Sequence, residues 1–421
     1  MNNELVEKVR LARTAARPLA CLPTEIKNLA LQNVATALGS RQAEILAANA
    51  ADCEAAKATG MDEVLLDRLR LDMDRLKAMA VDVLAVSALP DPIGEVFDMR
   101  TLPNGLLLGK KRVPLGVIAA VYESRPNVTV DIACLCLKSG NAVILRGGKE
   151  TVRSNRALAD AVRWALTEAG APAEAIQLIE DTDRALVGEL LKMRDLIDLV
   201  VPRGGAGLIN YVRDTATMPV IAGGLGVCHA FVDRTAELAK AVDIVYNAKV
   251  QRPTVCNALD TVLVHKDIAR DFLPLMATAL AKAGVEFHGD AVTLEILQQQ
   301  PGLNLKPAVA DDWGKEFLAL IAAVKIVDSL DEALEHIARY GSGHTEAIIT
   351  ENYPSAMRFV NEVDAAAVMV NASTRFTDGG QFGLGAEVGI STQKIHARGP
   401  MGLKEITSYK WICLGSGQVR P

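Results

Sequence analysis

Cys256 stands in the run Gln251-Arg252-Pro253-Thr254-Val255-Cys256-Asn257. A thiolate in such a loop could attack an activated acyl carbon and hold it as a thioester. The competing reading is a buried, inert cysteine, since free Cys is among the most buried residue types. Polar and proline flanks, with no apolar alternation through the cysteine, favour the nucleophile. A second candidate is Asn127, in Ser124-Arg125-Pro126-Asn127. Its amide could donate to a developing oxyanion, or it could simply serve a turn. Two glycine-rich segments suit anions: Arg203-Gly204-Gly205-Ala206-Gly207 and Arg146-Gly147-Gly148-Lys149. Each follows an apolar run, where bare backbone N–H groups or cations can approach a phosphate. An unliganded turn remains open for both. His229 could act as a base or could be a core or capping histidine.

The pattern around these residues predicts the elements that would position them. Ala236 to Val250 has apolar residues at helical spacing, and Thr261 to Val264 reads as a strand, so Cys256 falls in the loop between. The first ninety residues read as helices, including Leu65 to Leu84, until Pro90-Asp91-Pro92. Val96 to Leu102, a Pro103-Asn104-Gly105 turn and Leu106 to Arg112 form a hairpin signal. From Gly116 the apolar runs 116–121, 142–145, 176–179, 197–201 and 219–221 alternate with helices at 154–169, 184–193 and 208–214. A second alternating set begins at Ala230, with strands at 230–232, 261–264, 324–327, 347–350 and 367–371 and helices at 268–283 and 330–340. Such alternation predicts two open α/β domains with parallel sheets, divided near Gly226. A final strand is expected over Tyr409 to Cys413.

Composition narrows the function. The 421 residues exceed one ordinary core, and 50% hydrophobic with 23% charged residues is typical of a packed enzyme. A net charge of −6, with no basic run longer than Lys110-Lys111-Arg112, tells against nucleic acid. Apolar stretches are strand-length, which tells against a membrane span. Met1-Asn2-Asn3-Glu4 lacks the features of a signal peptide. Seven cysteines suggest reduced thiols in a cytoplasm. Cys134-Leu135-Cys136 reads as core, and no ligand spacing suggests a metal.

Taken together, Cys256 in its loop, Asn127 and Lys138-Ser-Gly-Asn-Ala-Val-Ile-Leu-Arg146 resemble the aldehyde dehydrogenase superfamily. The segments Tyr122 to Thr129, Tyr340-Gly341-Ser342-Gly343-His344, Asn371 to Gly379 and Gly389 to Pro400 are similar to its acyl-phosphate-reducing branch in proline synthesis. The resemblance implies NADPH-dependent reduction of L-glutamyl 5-phosphate to L-glutamate 5-semialdehyde, with NADP as the oxidised cofactor. It casts Cys256 as the nucleophile and Asn127 as an oxyanion donor. Glu316 matches the carboxylate on the nicotinamide ribose, and Arg146 and Lys149 match the adenine-ribose position. Their two cations favour a 2′-phosphate. Gly204, Gly205 and Gly207 are expected to bind cofactor; Arg125, Ser373, Thr374 and Arg375 are substrate-binding candidates by charge and position.

The oxidising members carry a general-base glutamate where this chain has Ile221-Ala222-Gly223-Gly224-Leu225-Gly226. Its absence suits an enzyme that must not hydrolyse its thioester. The rivals are an aldehyde-oxidising dehydrogenase and a thiol hydrolase using Cys256 and His229. The expected organisation is an NADP-binding domain over 1–95 and 113–226, with a catalytic domain over 227–373. Oligomerisation strands are expected at 96–112 and 399–421, and cleft loops at 374–398. A homo-oligomer (dimer or tetramer) and association with glutamate 5-kinase are the expected partnerships.

Overall fold

The computed structural model describes residues 3–420; Met1, Asn2 and Pro421, which belong to the expected outer segments, lie outside the described residues. The chain divides into two compact units. The first contains the described residues of 1–223, 383–389 and 400–421, and the second contains 224–382 and 390–399. The division therefore falls a few residues before Gly226. The expected 374–398 loops are shared out, with 383–389 in the first unit.

The first unit opens with α1 (Asn3–Ala20), α2 (Thr24–Ser40), α3 (Gln42–Ala58), α4 (Glu63–Leu69) and α5 (Met73–Ala88). On α2, Ala30, Leu31, Val34, Ala37 and Leu38 are buried, as their helical spacing requires. The single helix expected over 65–84 is two. Asp72 ends the break by accepting the Arg75 N–H at 2.8 Å, capping α5. Next come the antiparallel strands β1 (Val96–Thr101) and β2 (Leu107–Pro114), joined through Gly105 at φ +84°. The C-terminal strand Thr407–Leu414 pairs with the other edge of β2.

The same unit holds a parallel sheet of β3 (Val117–Tyr122), β4 (Ala142–Arg146), β5 (Ile176–Leu178) and β6 (Leu199–Arg203), in the order β5-β4-β3-β6. Helices α6 (Asn127–Lys138), α7 (Val152–Glu168) and α8 (Ala185–Leu190) join its strands, and α9 (Ala206–Thr215) follows β6. Every residue of β3 and β4 is buried, which explains their unbroken apolar runs. The strand expected at 219–221 is only an isolated bridge between Val200 and Val220. Asn127 is the first residue of α6 and not a turn residue.

The second unit is a seven-stranded sheet with its helices. In chain order these are β7 (Cys228–Val232), α10 (Leu238–Val250), β8 (Leu259–His265), α11 (Lys266–Ala281), β9 (Glu286–Gly289), α12 (Ala291–Leu297) and β10 (Asn304–Pro307). There follow β11 (Ile321–Val327), α13 (Leu330–Tyr340), β12 (Thr345–Ile349), α14 (Tyr353–Glu362) and β13 (Ala367–Val370). All neighbours are parallel, in the order β10-β9-β11-β8-β7-β12-β13. Val245, Val262, Phe272, Met276, Phe287 and Val324 share one apolar core. Among the described residues, no helix is long and apolar enough to cross a membrane, and no group of three His, Cys, Asp or Glu could hold a metal.

Candidate active site

In the second unit, α10 runs out at Gln251 and the chain turns through Cys256 before entering β8. The Ala258 N–H closes a tight turn on the Val255 carbonyl at 3.0 Å. Cys256 is partly exposed, unlike the buried Cys134, Cys136 and Cys228. Its backbone is pressed against Gly226: a Cβ there would stand 1.8 Å from the Cys256 oxygen. Cys228 donates its thiol to the same oxygen at 3.2 Å. Behind it, His344 Nδ1 lies 3.9 Å from the Cys228 sulfur and 2.8 Å from Thr345 Oγ1.

The next residue, Asn257, ties the loop to 373–377. Its Nδ2 donates to the Thr377 carbonyl at 2.9 Å, and Thr374 Oγ1 donates to the Asn257 carbonyl at 2.7 Å. Arg375 donates from its guanidinium to Asn257 Oδ1, and from Nε to Gln251 Oε1 at 2.7 Å. Burial lowers the Arg375 pKa, with Asp378 opposing the shift and Arg252 adding to it. Thr345 Oγ1 donates to Thr377 Oγ1 at 3.0 Å, joining this set to His344. The hydroxyl of Ser373 accepts the Arg375 N–H at 3.3 Å. Of the substrate candidates here, buried Ser373 and Thr374 spend their hydroxyls on the loops, and Arg375 is only half-buried.

Glu316 belongs to the same cluster. Its Oε1 accepts the Gly226 N–H at 3.1 Å, and the neighbouring Phe317 N–H donates to Asp260 Oδ1 at 3.0 Å. Asp260 Oδ2 also accepts the Cys228 N–H at 3.4 Å. Lys249 is fully buried, 3.8 Å from Asp260, and donates to the Leu259 carbonyl at 2.6 Å. Burial lowers Lys249 to about 8 and raises Asp260 to about 6, each against the pull of its partner. This pair braces the Cys256 and Glu316 loops together. A lysine at the end of a helix and an aspartate inside an apolar strand were its sequence signals.

His229 does not serve Cys256. It lies on β7 next to Cys228, where alternate side chains point to opposite faces. It is fully buried, with Nδ1 at 2.9 Å from Glu346 Oε2 and its ring 5.4 Å from that of His336. The hydrolase pairing therefore lacks its base.

The first unit carries the remaining candidates. Asn127 Nδ2 donates to Asp131 Oδ2 at 2.8 Å, one helical turn on. Arg125 lies just before α6 and is partly exposed. Arg146 is 7% exposed and donates to the carbonyls of Gly147, Thr182 and Asp183 at 2.6, 2.9 and 3.3 Å. It therefore staples the loop after β5 through its two Nη atoms, while its buried Nε has no hydrogen-bond partner among the described residues. Lys149 is exposed. Beside it, a recess at the carboxyl ends of β4 and β5 is lined by Gly147, Gly148, Asn155, Leu178, Glu180 and Thr182. A Cβ on Gly147 would come within 2.0 Å of Asn155 Nδ2, so the backbone must stay bare there.

The Gly204-Gly205-Ala206-Gly207 turn holds a carboxylate from its own chain. The Gly205 N–H, at the start of α9, donates to Glu123 Oε2 at 2.9 Å, and a Cβ on Gly204 would strike that oxygen at 2.4 Å. A phosphate at this helix end would have to displace Glu123. Glu150 acts similarly on the next residue, accepting from Ser124 N and Oγ, both at 2.8 Å. Glu123, Asp131 and Glu150 lie in or beside recognised motifs, yet nothing in their spacing marks them as partners of these groups.

Comparison with known proteins agrees with this architecture. Residues 2–294 match the aldehyde dehydrogenase family. A γ-glutamyl phosphate reductase from Dehalococcoides mccartyi (strain CBDB1) is 66% identical over 417 residues, spanning 99% of this chain and 98% of the relative. One from Thermoanaerobacter sp. (strain X514) is 55% identical over 417 residues, spanning 99% of this chain and all of the relative. The crystal structure of γ-glutamyl phosphate reductase from Thermotoga maritima superposes with a TM-score of 0.95 at 50% identity, covering both chains completely.

Proposed function

Since the chain belongs to the aldehyde dehydrogenase family and is a γ-glutamyl phosphate reductase by full-length likeness, we propose that it makes L-glutamate 5-semialdehyde through a thioester on Cys256. The substrate is L-glutamyl 5-phosphate, and the reaction is the second step of proline synthesis from glutamate. The observation that carries the mechanism is the braced, partly exposed Cys256 loop.

The Cys256 thiolate attacks the 5-carbonyl, and the tetrahedral oxyanion collapses with phosphate as leaving group. Asn127 and the Cys256 N–H are assigned to that oxyanion on the family resemblance; such a donor is typically worth ~3 kcal/mol. A nicotinamide cofactor, when bound, supplies the hydride that takes the thioester to the aldehyde level. Cys256 leaves as thiolate when the aldehyde is released. Arg375, anchored beside the Cys256 loop, and Arg125 are assigned to the substrate's carboxylate; Ser373 and Thr374 hold the loop that carries Arg375.

The glycine backbone beside the recess at the ends of β4 and β5 is assigned to the adenine-ribose end of a dinucleotide on the family resemblance, and Glu316 to the nicotinamide ribose. NADPH is our choice over NADH because Lys149 is an exposed cation beside that recess. Arg146 supports the recess through the loop carbonyls, and of the two carboxylates on its lining, Glu180 and Asp181, Glu180 pairs with Arg156. Gly204, Gly205 and Gly207 remain in the cofactor assignment only with Glu123 displaced.

A cytoplasmic homo-oligomer, dimer or tetramer, is proposed through β1, β2 and the C-terminal strand, where Val96, Tyr409, Trp411 and Leu414 are exposed. Glutamate 5-kinase is the proposed supplier of the labile acyl phosphate. The activity is tested by phosphate-dependent NADP⁺ reduction with glutamate 5-semialdehyde. Turnover that requires phosphate supports the assignment, and turnover indifferent to phosphate contradicts it.

A further inference from the structure

We infer that Asp131 is a positioning residue for the reaction: its carboxylate holds the Asn127 carboxamide with Nδ2 as the presented donor. The inference rests on the assignment of Asn127 as oxyanion donor and adds the group that makes that donor competent.

A carboxamide has one accepting and one donating end, and rotation by half a turn exchanges them with almost no change of shape. An oxyanion can be held only by the donating end. In α6, residues 127 and 131 lie on the same face, one turn apart. When ionised, above its raised pKa, the Asp131 carboxylate is an acceptor only and selects the orientation in which Nδ2 points to it at 2.8 Å. Nδ2 carries two protons; Asp131 takes one and leaves the second for an oxygen arriving from outside. The flipped rotamer would set Asn127 Oδ1 against a carboxylate and is disfavoured.

An ordinary surface pair at this spacing is solvated and costs nothing to keep. Asp131 is only partly exposed, and its charged surroundings are mixed. Burial pushes its pKa up to about 7, the Asn127 bond opposes this, Asp82 and Glu387 raise it further and Arg203 lowers it. The chain retains a carboxylate where its surroundings disfavour one. An apolar residue would suit the site better on stability alone, as Ile132, Ala133 and Cys134 beside it do. Retained local conflict of this kind is expected where a residue serves function.

The test compares Asn127→Ala, Asp131→Leu, Asp131→Asn and the double variant Asn127→Ala/Asp131→Leu, each first checked for a native melting transition. Asp131→Asn keeps an acceptor oxygen for Nδ2. In the phosphate-dependent NADP⁺ reduction assay, Asp131→Leu should lower kcat roughly tenfold or more with KM for the semialdehyde nearly unchanged. Asp131→Asn, whose carboxamide can accept from Nδ2 but can also donate to a flipped Oδ1, should recover only part of that loss, and the double variant should be no slower than Asn127→Ala. Equal loss from Asp131→Leu in both backgrounds, or no recovery in Asp131→Asn, overturns the inference. If Asn127→Ala alone keeps wild-type kcat, the oxyanion assignment itself has failed, which is a separate result.

Discussion

The backbone of Cys256 occupies the space a side chain at Gly226 would need: a Cβ there would lie 1.8 Å from the Cys256 carbonyl oxygen and 2.6 Å from its Cα. These are backbone atoms and cannot rotate away. Gly226→Ala must therefore move one of the two segments, and the Gly226 N–H also anchors Glu316. The expected result is a fall of ~10²-fold in kcat/KM, since a displacement near 1 Å at a reacting group costs about that much. A steady-state assay on folded protein checks it. Near-wild-type kinetics would mean that the loop's position is not set here.

Lys249 and Asp260 form a buried ion pair whose loss should be felt in stability before chemistry. Removing one partner of such a pair typically costs about 3–5 kcal/mol. Lys249→Met should show that cost in urea unfolding at pH 8. At pH 5 the cost should be smaller, because Asp260, already raised to about 6, can then take a proton and remain buried as a neutral acid. Equal losses at both pH values would indicate lost packing and not an unpaired charge.

Asp131 predicts a pH effect of definite sign. Its folded pKa, about 7, lies above the ordinary carboxylate value of 3.8. Between those values the folded protein holds a proton that the unfolded chain has lost. This group therefore favours folding less and less as pH rises through that window. Asp131→Asn removes the penalty while keeping a hydrogen-bond acceptor. Thermal melts should show the variant more stable than wild type at pH 8, with the difference vanishing near pH 4. A constant difference across the range would show that Asp131 does not titrate in this window.

Lys149 is exposed beside the recess at the ends of β4 and β5. A charge-assisted hydrogen bond to a 2′-phosphate contributes roughly 1.5–3 kcal/mol. Lys149→Glu should therefore lower kcat/KM for NADPH strongly and leave that for NADH unchanged or improved. An unchanged NADPH/NADH ratio would show that Lys149 is only a solvated surface charge.

The buried parallel strands were the most legible part of the sequence, because β3, β4 and β8 are buried throughout and their apolar stretches stand out as runs. Helix α6 was hidden for the same reason. Val128, Val130, Ile132, Ala133, Leu135 and Leu137 are all buried, so no polar face imposes a helical period. The short elements β9, α12 and β10 lacked the length for any pattern. In the site, Cys256 announced itself through its polar flanks. Gly226 could not, since its role depends on a contact with residues thirty positions on. Arg146 and the Gly204-Gly205 turn had the right chemistry for anions, but neighbouring carbonyls engage both Nη atoms of Arg146 and Glu123 occupies the turn. Spacing along a sequence says which groups could bind an anion, not which have already found a partner.

The proposed thioester on Cys256 is open to a single-turnover measurement. The enzyme is mixed with glutamate 5-semialdehyde and NADP⁺ in buffer free of phosphate and quenched early, so that the acyl group has no external acceptor and little time to cyclise onto its own α-amino group. With no glutamate base in Ile221 to Gly226, hydrolysis should be slow. A burst approaching one NADPH per active site should appear, followed by a near-standstill. Peptide mass spectrometry of the quenched protein should find the glutamyl group on Cys256, and added phosphate should release it. An acyl group on another residue, or a full burst from Cys256→Ala, would contradict the mechanism.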